Sequence, residues 1–342
     1  MKFFVSSRLR EEAARRAIGI SITVAVLGLT GSALQAQNRG GQPNFDNVHM
    51  QVLHVQGNVY MIVGAGGNTT VQAGDSGVLV VDTQFAQLGD KLVAAIRTIS
   101  PKPIHYIINT HVHDDHIGGN AVLAKAAPTR PDRSPIQAGL GGNVDAKTTI
   151  IAHENVLNRM VAAGAEGRPA DQWPTETYFG DGTEVFFNGE AVQILHQPAA
   201  HTDGDSLVFF RRSDVIATGD LFTTTMYPFI DSQRGGTING IIAALNRIID
   251  IAIPDHHVQE GGTMIIPGHG RLCDEQDVIE YRDMVTIVRD RIQIMVKKGL
   301  TLEQVKAAKP TLDFDPRYGA DSGFWTTAMF VETIYRDLSK KK

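Results

Sequence analysis

Cysteine, tryptophan and long hydrophobic runs are scarce in this 342-residue chain, which contains one cysteine and two tryptophans. A single cysteine, Cys273, excludes an internal disulfide, so the fold must be stabilised by a hydrophobic core. Roughly 300 residues are enough to build a core of this kind. The uncharged stretch from Ala17 to Thr30 is shorter than the roughly 20 residues that a membrane-spanning helix needs. Stable membrane insertion is therefore not expected.

Positive charge is also limited, because 32 lysines and arginines face 37 aspartates and glutamates, for a formal net charge of −5. Residues 1–36 contain five basic and two acidic residues, so the remainder has 27 basic and 35 acidic residues and a net charge of −8. An acidic surface repels the phosphates of nucleic acids. We therefore expect a small-molecule substrate and no nucleic-acid partner.

The N-terminal region has the three-part pattern of a signal peptide. Basic residues up to Arg16 precede the uncharged stretch from Ala17 to Thr30, and small residues follow. We expect residues 1–36 to be removed during export, after Ala33 or Ala36, and the mature protein to be periplasmic or secreted. Residues 37–47 are polar, with glycine and proline, and are predicted to form a flexible leader.

The densest cluster of metal-binding side chains lies in the segment His111-Val112-His113-Asp114-Asp115-His116. Imidazole nitrogens and carboxylate oxygens are the ligands that zinc prefers where thiolates are absent. The preceding residues, 103–109, are rich in β-branched and aromatic side chains and are predicted to form a buried strand. If the extended backbone continues, the first two histidines point to the same side. The last two residues then fall where the chain turns into a helical stretch, 117–125.

The pattern His-x-His-x-Asp-His after a strand resembles that of the metallo-β-lactamase-fold hydrolases. Three further motifs occur in the order of that family: Ala-Ala-His201-Thr-Asp-Gly, Thr-Gly-Asp220-Leu-Phe and Pro-Gly-His269-Gly. Each of them follows or ends a short hydrophobic run. The resemblance extends from Val48 to Asp337, which is nearly all of the predicted mature chain.

The resemblance implies two zinc ions per chain, although iron or manganese would also suit these ligands. Three histidines would bind the first metal, an aspartate and two histidines the second, and one further aspartate would bridge them: His111, His113 and His201; Asp115, His116 and His269; and Asp220. Asp115 is also expected to take part in catalysis. In such a centre, a bridging hydroxide attacks a polarised carbonyl or ester without a serine or cysteine nucleophile.

The resemblance also implies an α+β fold, an αββα sandwich in which two β-sheets are flanked by helices, over residues 48–342. Residues 128–147 are rich in proline and glycine and interrupt the expected order of elements, so we predict an inserted surface loop there. Asp114 is expected to cap a helix or orient a histidine. Tyr227, Phe229 and Arg234 follow Asp220 and are expected near the mouth of the site, as substrate contacts or as parts of a packed loop.

The residues around Asp220 favour some branches of the family over others. β-Lactamases with this motif generally lack a carboxylate at that position, and no lysine follows in 221–225 to hold a β-lactam carboxylate. The sequence therefore favours an exported dinuclear zinc hydrolase that cleaves an ester, thioester, lactone or amide. A β-lactamase and a mononuclear iron dioxygenase of the same fold are the alternatives. A binding protein without activity is disfavoured, because every ligand position carries a suitable residue.

Overall fold

Residues 44–126, 148–164, 168–254 and 261–340 are described by the structure, which is a computed structural model. The predicted signal peptide (1–36), most of the leader and the predicted insertion at 128–147 lie outside these residues, and so those three predictions stay predictions. The strands of the described residues are β1 (Gln51–Gln56), β2 (Val59–Val63), β3 (Thr69–Gly74), β4 (Gly77–Val81), β5 (Ile104–Ile108), β6 (Thr149–His153), β7 (Glu176–Tyr178), β8 (Gly182–Phe187), β9 (Glu190–Gln197), β10 (Asp205–Phe210), β11 (Val215–Ala217) and β12 (Met264–Ile266).

α-Helices occur between and after the strands. The bounds of the described helices are α1 (Gly89–Ile99), α2 (Asp114–Ile117), α3 (Asn120–Lys125), α4 (Glu154–Ala162), α5 (Ile238–Ile251), α6 (Glu275–Lys297), α7 (Leu302–Ala307), α8 (Asp315–Tyr318) and α9 (Thr327–Ser339). The helix predicted over 117–125 is interrupted at Gly118 and Gly119. A Cβ atom on Gly119 would lie 2.2 Å from the carbonyl oxygen of Thr83, so this close approach requires glycine. Across the described residues, no helix combines the length and the hydrophobicity needed to span a membrane.

Two sheets are formed by these strands. The first has the order β1-β2-β3-β4-β5-β6-β7, and the second has the order β12-β11-β10-β9-β8. Parallel pairing occurs between β4 and β5, β5 and β6, β6 and β7, and β11 and β12. Asn188 and Gly189 connect β8 and β9, and both have positive φ, as a tight hairpin turn requires.

Alternating side chains on the central strands belong to different hydrophobic layers. On β4, Val78 and Val80 pack with α1 and α3, whereas Leu79 and Val81 pack against the second sheet. On β10, residues 207 and 209 join the cluster that contains α5, α6 and α9, while residues 208 and 210 face the first sheet. This period of two places three apolar layers between four layers of secondary structure. The predicted αββα sandwich is therefore confirmed.

The ends of four strands, β4, β5, β11 and β12, lie where the two sheets meet, and predicted ligands follow three of them. Val81 is paired with Ile108 and Ala217 with Ile266, so β4 and β5, and likewise β11 and β12, end side by side. Backbone hydrogen bonds join the sheets at this edge, from the amide of Ser206 to the carbonyl of Thr110 (2.8 Å) and from that of Asn68 to the carbonyl of Gly268 (2.7 Å). These hydrogen bonds fix the positions of the strand ends from which the loops with the predicted ligands begin.

Candidate metal centre

Seven side chains predicted from the sequence come together at this edge, although they are spread over 159 positions of the chain. They follow β5, β9, β11 and β12, and the residues are His111, His113, Asp115, His116, His201, Asp220 and His269. These side chains form two groups, and within each group the potential ligand atoms lie within 4.8 Å of one another. One group consists of His111, His113, His201 and Asp220, and the other of Asp115, His116 and His269.

Asp220 lies between the two groups of histidines. Its Oδ2 atom is 3.9 Å from Nε2 of His111 and 3.7 Å from Nε2 of His201. Its Oδ1 atom is 3.2 Å from Nε2 of His116 and 3.4 Å from Nε2 of His269. One carboxylate oxygen therefore faces each group, which is the arrangement that a carboxylate bridging two cations requires.

Asp115 completes the second group. Its Oδ2 atom lies 3.2 Å from Nε2 of His269 and 3.7 Å from Nε2 of His116. The side chain of Asp115 is 23% exposed, whereas that of Asp220 is 14% exposed. Asp115 is therefore the carboxylate of the centre that solvent reaches more easily.

Three of the candidate histidine ligands donate a hydrogen bond from one ring nitrogen to a group outside the centre. The other ring nitrogen of each is then left for a metal. The Nδ1 atom of His116 donates to Asp82 (2.7 Å), and that of His201 to the carbonyl of Phe229 (2.6 Å). Nε2 of His113 donates to Asp231 (3.0 Å). A histidine ligand commonly donates its second nitrogen in this way, which fixes its tautomer and orientation.

The atoms that face the centre fit a cation better than they fit one another. Nε2 of His201 and Nδ1 of His113 are 2.9 Å apart, and each would present a lone pair, because the other nitrogen of each ring donates outward. Nε2 of His111 and Oδ1 of Asp220 are buried without a hydrogen-bond partner. Buried polar atoms normally have partners. A metal ion at each group would supply the missing positive charge.

The electrostatics of the two groups agree with this fit. Burial lowers the pKa of His201 to about 4 and that of His111 well below its usual value, so both rings are neutral and able to bind a metal. At the second group, burial opposes charge, but the carboxylates of Asp220 and Asp115 raise the pKa of His269 to about 10. The second group therefore attracts a positive charge, which a divalent cation would provide in place of a proton.

Glycine allows the centre to be this compact at two positions. A Cβ atom on Gly268 would lie 2.0 Å from Oδ1 of Asp220, and one on Gly67 would lie 2.2 Å from the ring of His116. The run Gly64–Gly67 connects the antiparallel strands β2 and β3. Its last residue also packs directly against a candidate ligand.

Two aspartates that support the histidines were not identified from the sequence. Asp82 follows β4, is 2% exposed and accepts hydrogen bonds from His116 and from the backbone and hydroxyl of Thr110. Asp231 accepts from His113, and its Oδ2 atom also lies 2.6 Å from the guanidinium of Arg234. Asp82 carries a detectable signal, because it follows the hydrophobic strand Gly77–Val81 directly, as the candidate ligands follow theirs. Asp231 lies in a loop and gives no such signal.

Several secondary predictions are resolved by the same contacts. The prediction that Asp114 caps a helix is wrong, because His113 occupies the cap position of α2 and Asp114 instead pairs with Arg168 at 2.7 Å. Tyr227 is a packed loop residue, 1% exposed, whose hydroxyl donates to Asp315. Phe229 does reach the centre, since its ring centroid lies 5.7 Å from that of His113.

Comparison with known proteins agrees with this geometry. The sequence profile of the metallo-beta-lactamase superfamily matches residues 55–269. The chain belongs to this superfamily. The matched region contains all seven candidate ligands, and the resemblance predicted from the motifs is confirmed.

Curated relatives include enzymes that act on different substrates. A linear primary-alkylsulfatase of Pseudomonas sp. is 24% identical over 256 residues, which cover 67% of this chain and 47% of that enzyme. The alpha subunit of a 2,4-dinitroanisole O-demethylase from Nocardioides sp. is 27% identical over 180 residues, covering 52% of this chain and 48% of that subunit. The chain thus spans about half the length of the curated relatives that it matches.

Solved structures share the fold at low sequence identity. The inverting sec-alkylsulfatase Pisa1 from Pseudomonas sp. matches with a TM-score of 0.62 at 17% identity, over 84% of this chain and 50% of that enzyme. The DIM-1 metallo-beta-lactamase matches with a TM-score of 0.50 at 14% identity, over 70% of this chain and 99% of that enzyme. These similarities establish the fold. Membership of the metallo-beta-lactamase superfamily rests on the sequence profile.

Proposed function

We propose that this protein is a dinuclear metal-dependent hydrolase that cleaves esters. The observation that carries the proposal is the position of Asp220, which directs one oxygen towards His111 and His201 and the other towards His116 and His269. An enzyme with one metal ion does not need a carboxylate that directs one oxygen towards each of two histidine groups. The geometry therefore favours a dinuclear hydrolase over the iron dioxygenase of the same fold.

Two divalent ions at these groups would supply an activated water and an electrophile for the ester oxygen. The protein holds the ring nitrogens in place through Asp82, Asp231 and the carbonyl of Phe229. Asp115 is the more exposed carboxylate, so we assign it the hydrogen bond that orients the attacking water. Cys273 is 3% exposed, and burial raises the pKa of its thiol, so it does not serve as a nucleophile.

The substrate is proposed to be a sulfate ester or a carboxylic ester. Support for a sulfate ester comes from the alkylsulfatase of Pseudomonas sp. and from an alkyl/aryl-sulfatase of Saccharomyces cerevisiae that is 20% identical over 313 residues. The carboxylate at Asp220 supports an ester in place of a β-lactam, since the sequence pattern of the lactamases generally lacks it. Zinc is the proposed metal, because histidine and aspartate side chains suit it.

A substrate panel tests the proposal. Protein loaded with two equivalents of Zn²⁺ is assayed with decyl sulfate, 4-nitrophenyl sulfate, 4-nitrophenyl butyrate, a butyryl thioester and a chromogenic cephalosporin. We expect turnover of at least one oxygen ester, and its loss on removal of the metal with a chelator. Preferred turnover of the cephalosporin would replace the proposal with a β-lactamase. An oxygen-consuming reaction that requires iron would replace it with a dioxygenase.

Export is proposed as well, from the basic and uncharged segments that precede residue 37. In a bacterial host, the periplasmic fraction should contain a protein shortened by 33 or 36 residues. Intact-mass measurement checks this prediction. A full-length protein confined to the cytoplasm would contradict it.

A further inference from the structure

An aromatic ring forms one wall of the candidate metal centre. The ring centroid of Phe229 lies 5.7 Å from that of His113 and 5.5 Å from that of His201. The carbonyl oxygen of the same residue accepts the hydrogen bond from His201 (2.6 Å). The backbone of Phe229 thus orients a candidate ligand, while its ring covers one side of two candidate ligands.

Two more aromatic residues continue this wall towards solvent. The ring of Phe229 contacts Phe324 at a centroid distance of 5.8 Å and Trp325 at 4.8 Å. Trp325 is 7% exposed and belongs to the hydrophobic cluster beneath the second sheet. Phe324 is 56% exposed. The aromatic surface therefore has one buried end against the histidines and one end open to solvent.

The loop that carries Phe324 is fixed at its base. Its first and last residues are Ala320 and Thr327, and each donates a hydrogen bond to the other, at 3.0 and 2.9 Å. Gly323 has a φ of 108°, which allows the chain to turn directly before Phe324. Trp325 is buried beside it, so Phe324 is held in a largely exposed position next to Phe229.

We propose that Phe324, with Phe229 behind it, forms an apolar subsite that takes the alkyl or aryl group of the ester substrate. This inference rests on the proposed function and adds to it, since it states which part of the substrate the protein recognises. A single aromatic side chain buries about 150–250 Å². A stable protein interface requires roughly 1,000 Å² or more. The size of the exposed ring therefore suits part of a small molecule and not a protein partner.

Binding of simple carboxylates tests the subsite without requiring turnover. Acetate, butyrate and octanoate are titrated by calorimetry into protein loaded with two equivalents of Zn²⁺. The variants are Phe324→Ala, its conservative partner Phe324→Leu, and the control Phe186→Ala. Phe186 is 76% exposed and pairs with Ala191 on β9. Ala191 lies six residues before the end of β9 that is near the centre, so Phe186 is an exposed aromatic residue away from the centre.

Each methylene that is fully buried tightens binding by up to roughly fourfold. We expect octanoate to bind the native protein and Phe186→Ala at least tenfold more tightly than acetate. Phe324→Ala should reduce that ratio to below about threefold without weakening acetate, and Phe324→Leu should retain most of it. The thermal stability of Phe324→Ala should match that of the native protein, because the ring is already mostly exposed.

Two results would overturn the inference: equal affinities for acetate and octanoate in the native protein, or an unchanged ratio in Phe324→Ala. The outcome of the substrate panel does not depend on the outcome of this binding test. If octanoate binds in the expected way but no ester is hydrolysed, the subsite stands and the proposed reaction is wrong. If an ester is hydrolysed but octanoate binds no more tightly than acetate, the reaction stands and the subsite is wrong.

Discussion

The carboxylate of Asp82 lies 2.7 Å from Nδ1 of His116, and both side chains are almost completely buried. Asp82 adopts a φ of 59°, in the left-handed region that non-glycine residues rarely occupy. Such a conformation costs about 1–3 kcal/mol and persists only where surrounding contacts enforce it. The three hydrogen bonds from Thr110 and His116 provide those contacts. The strained residue therefore holds one candidate ligand and the segment that leads to the others.

Replacement of Asp82 by asparagine should weaken the second metal position. Asparagine also tolerates the left-handed region, so the backbone is retained while the charge behind His116 is lost. We expect metal affinity at this position to fall by roughly 10–100-fold. Competition with a chelator measures the affinity, and Asp75→Asn, at an exposed ion pair with Lys102, is the matched control. Equal affinities in the two variants would mean that Asp82 serves the fold alone.

Asp220→Asn should retain the fold but lose the second metal and most of the turnover. The substitution removes the negative charge that faces both histidine groups, and an amide cannot offer two anionic oxygens. We expect turnover to fall by at least about 100-fold, more than a residue outside the ligand sphere usually costs. Metal analysis and circular dichroism, done on the same preparation, separate loss of metal from loss of structure. Full metal content with full activity would show that Asp220 is not a bridge.

Gly268→Ala should disturb the centre by steric means, with no change of charge. The new Cβ atom would lie 2.0 Å from Oδ1 of Asp220 and 2.7 Å from the carbonyl oxygen of Gly219, so the carboxylate or the backbone must move. We expect the variant to fold but to bind less metal than the native protein. Unfolding by urea, with metal and with chelator, checks this account. The cost of the substitution should be larger with metal, and an equal cost in both conditions would place its effect in the fold.

His153 should make the protein less stable in acid. Burial, and then the stacked ring of His196, lower the pKa of His153 to about 4, while Asp203 acts in the opposite direction. The unfolded chain has an imidazole pKa near 6.5. Between these values the unfolded state binds the proton and the folded state does not, so stability falls as the pH drops from about 6.5 to 4.

The variant His153→Asn removes this titration while keeping an acceptor for the amide of Asn155, which His153 caps in the native protein. As the pH is lowered, the free energy of unfolding of the variant should rise relative to that of the native protein. Urea unfolding at pH 7.5, 5.5 and 4.5 measures that difference. A difference that does not depend on pH would assign the effect of acid to other groups.

The sequence predicts which side chains meet at the candidate centre, because they obey a local rule. They stand three to eight residues after the end of a hydrophobic strand, and parallel strands end at the same edge of a sheet. The supporting residues obey no such rule, apart from Asp82. Asp231 reaches His113 across 118 positions, and Phe324 reaches Phe229 across 95. Their roles depend on how the loops and α9 pack on the second sheet, which local periodicity does not encode.

The central claim is that Asp220 bridges two metal ions, and anomalous diffraction from crystals grown with Zn²⁺ tests it most directly. The account predicts two zinc peaks about 3.5–4 Å apart. One peak should lie by His111, His113 and His201, the other by Asp115, His116 and His269, and each should contact one oxygen of Asp220. A single peak, or two peaks without Asp220 between them, would contradict the account.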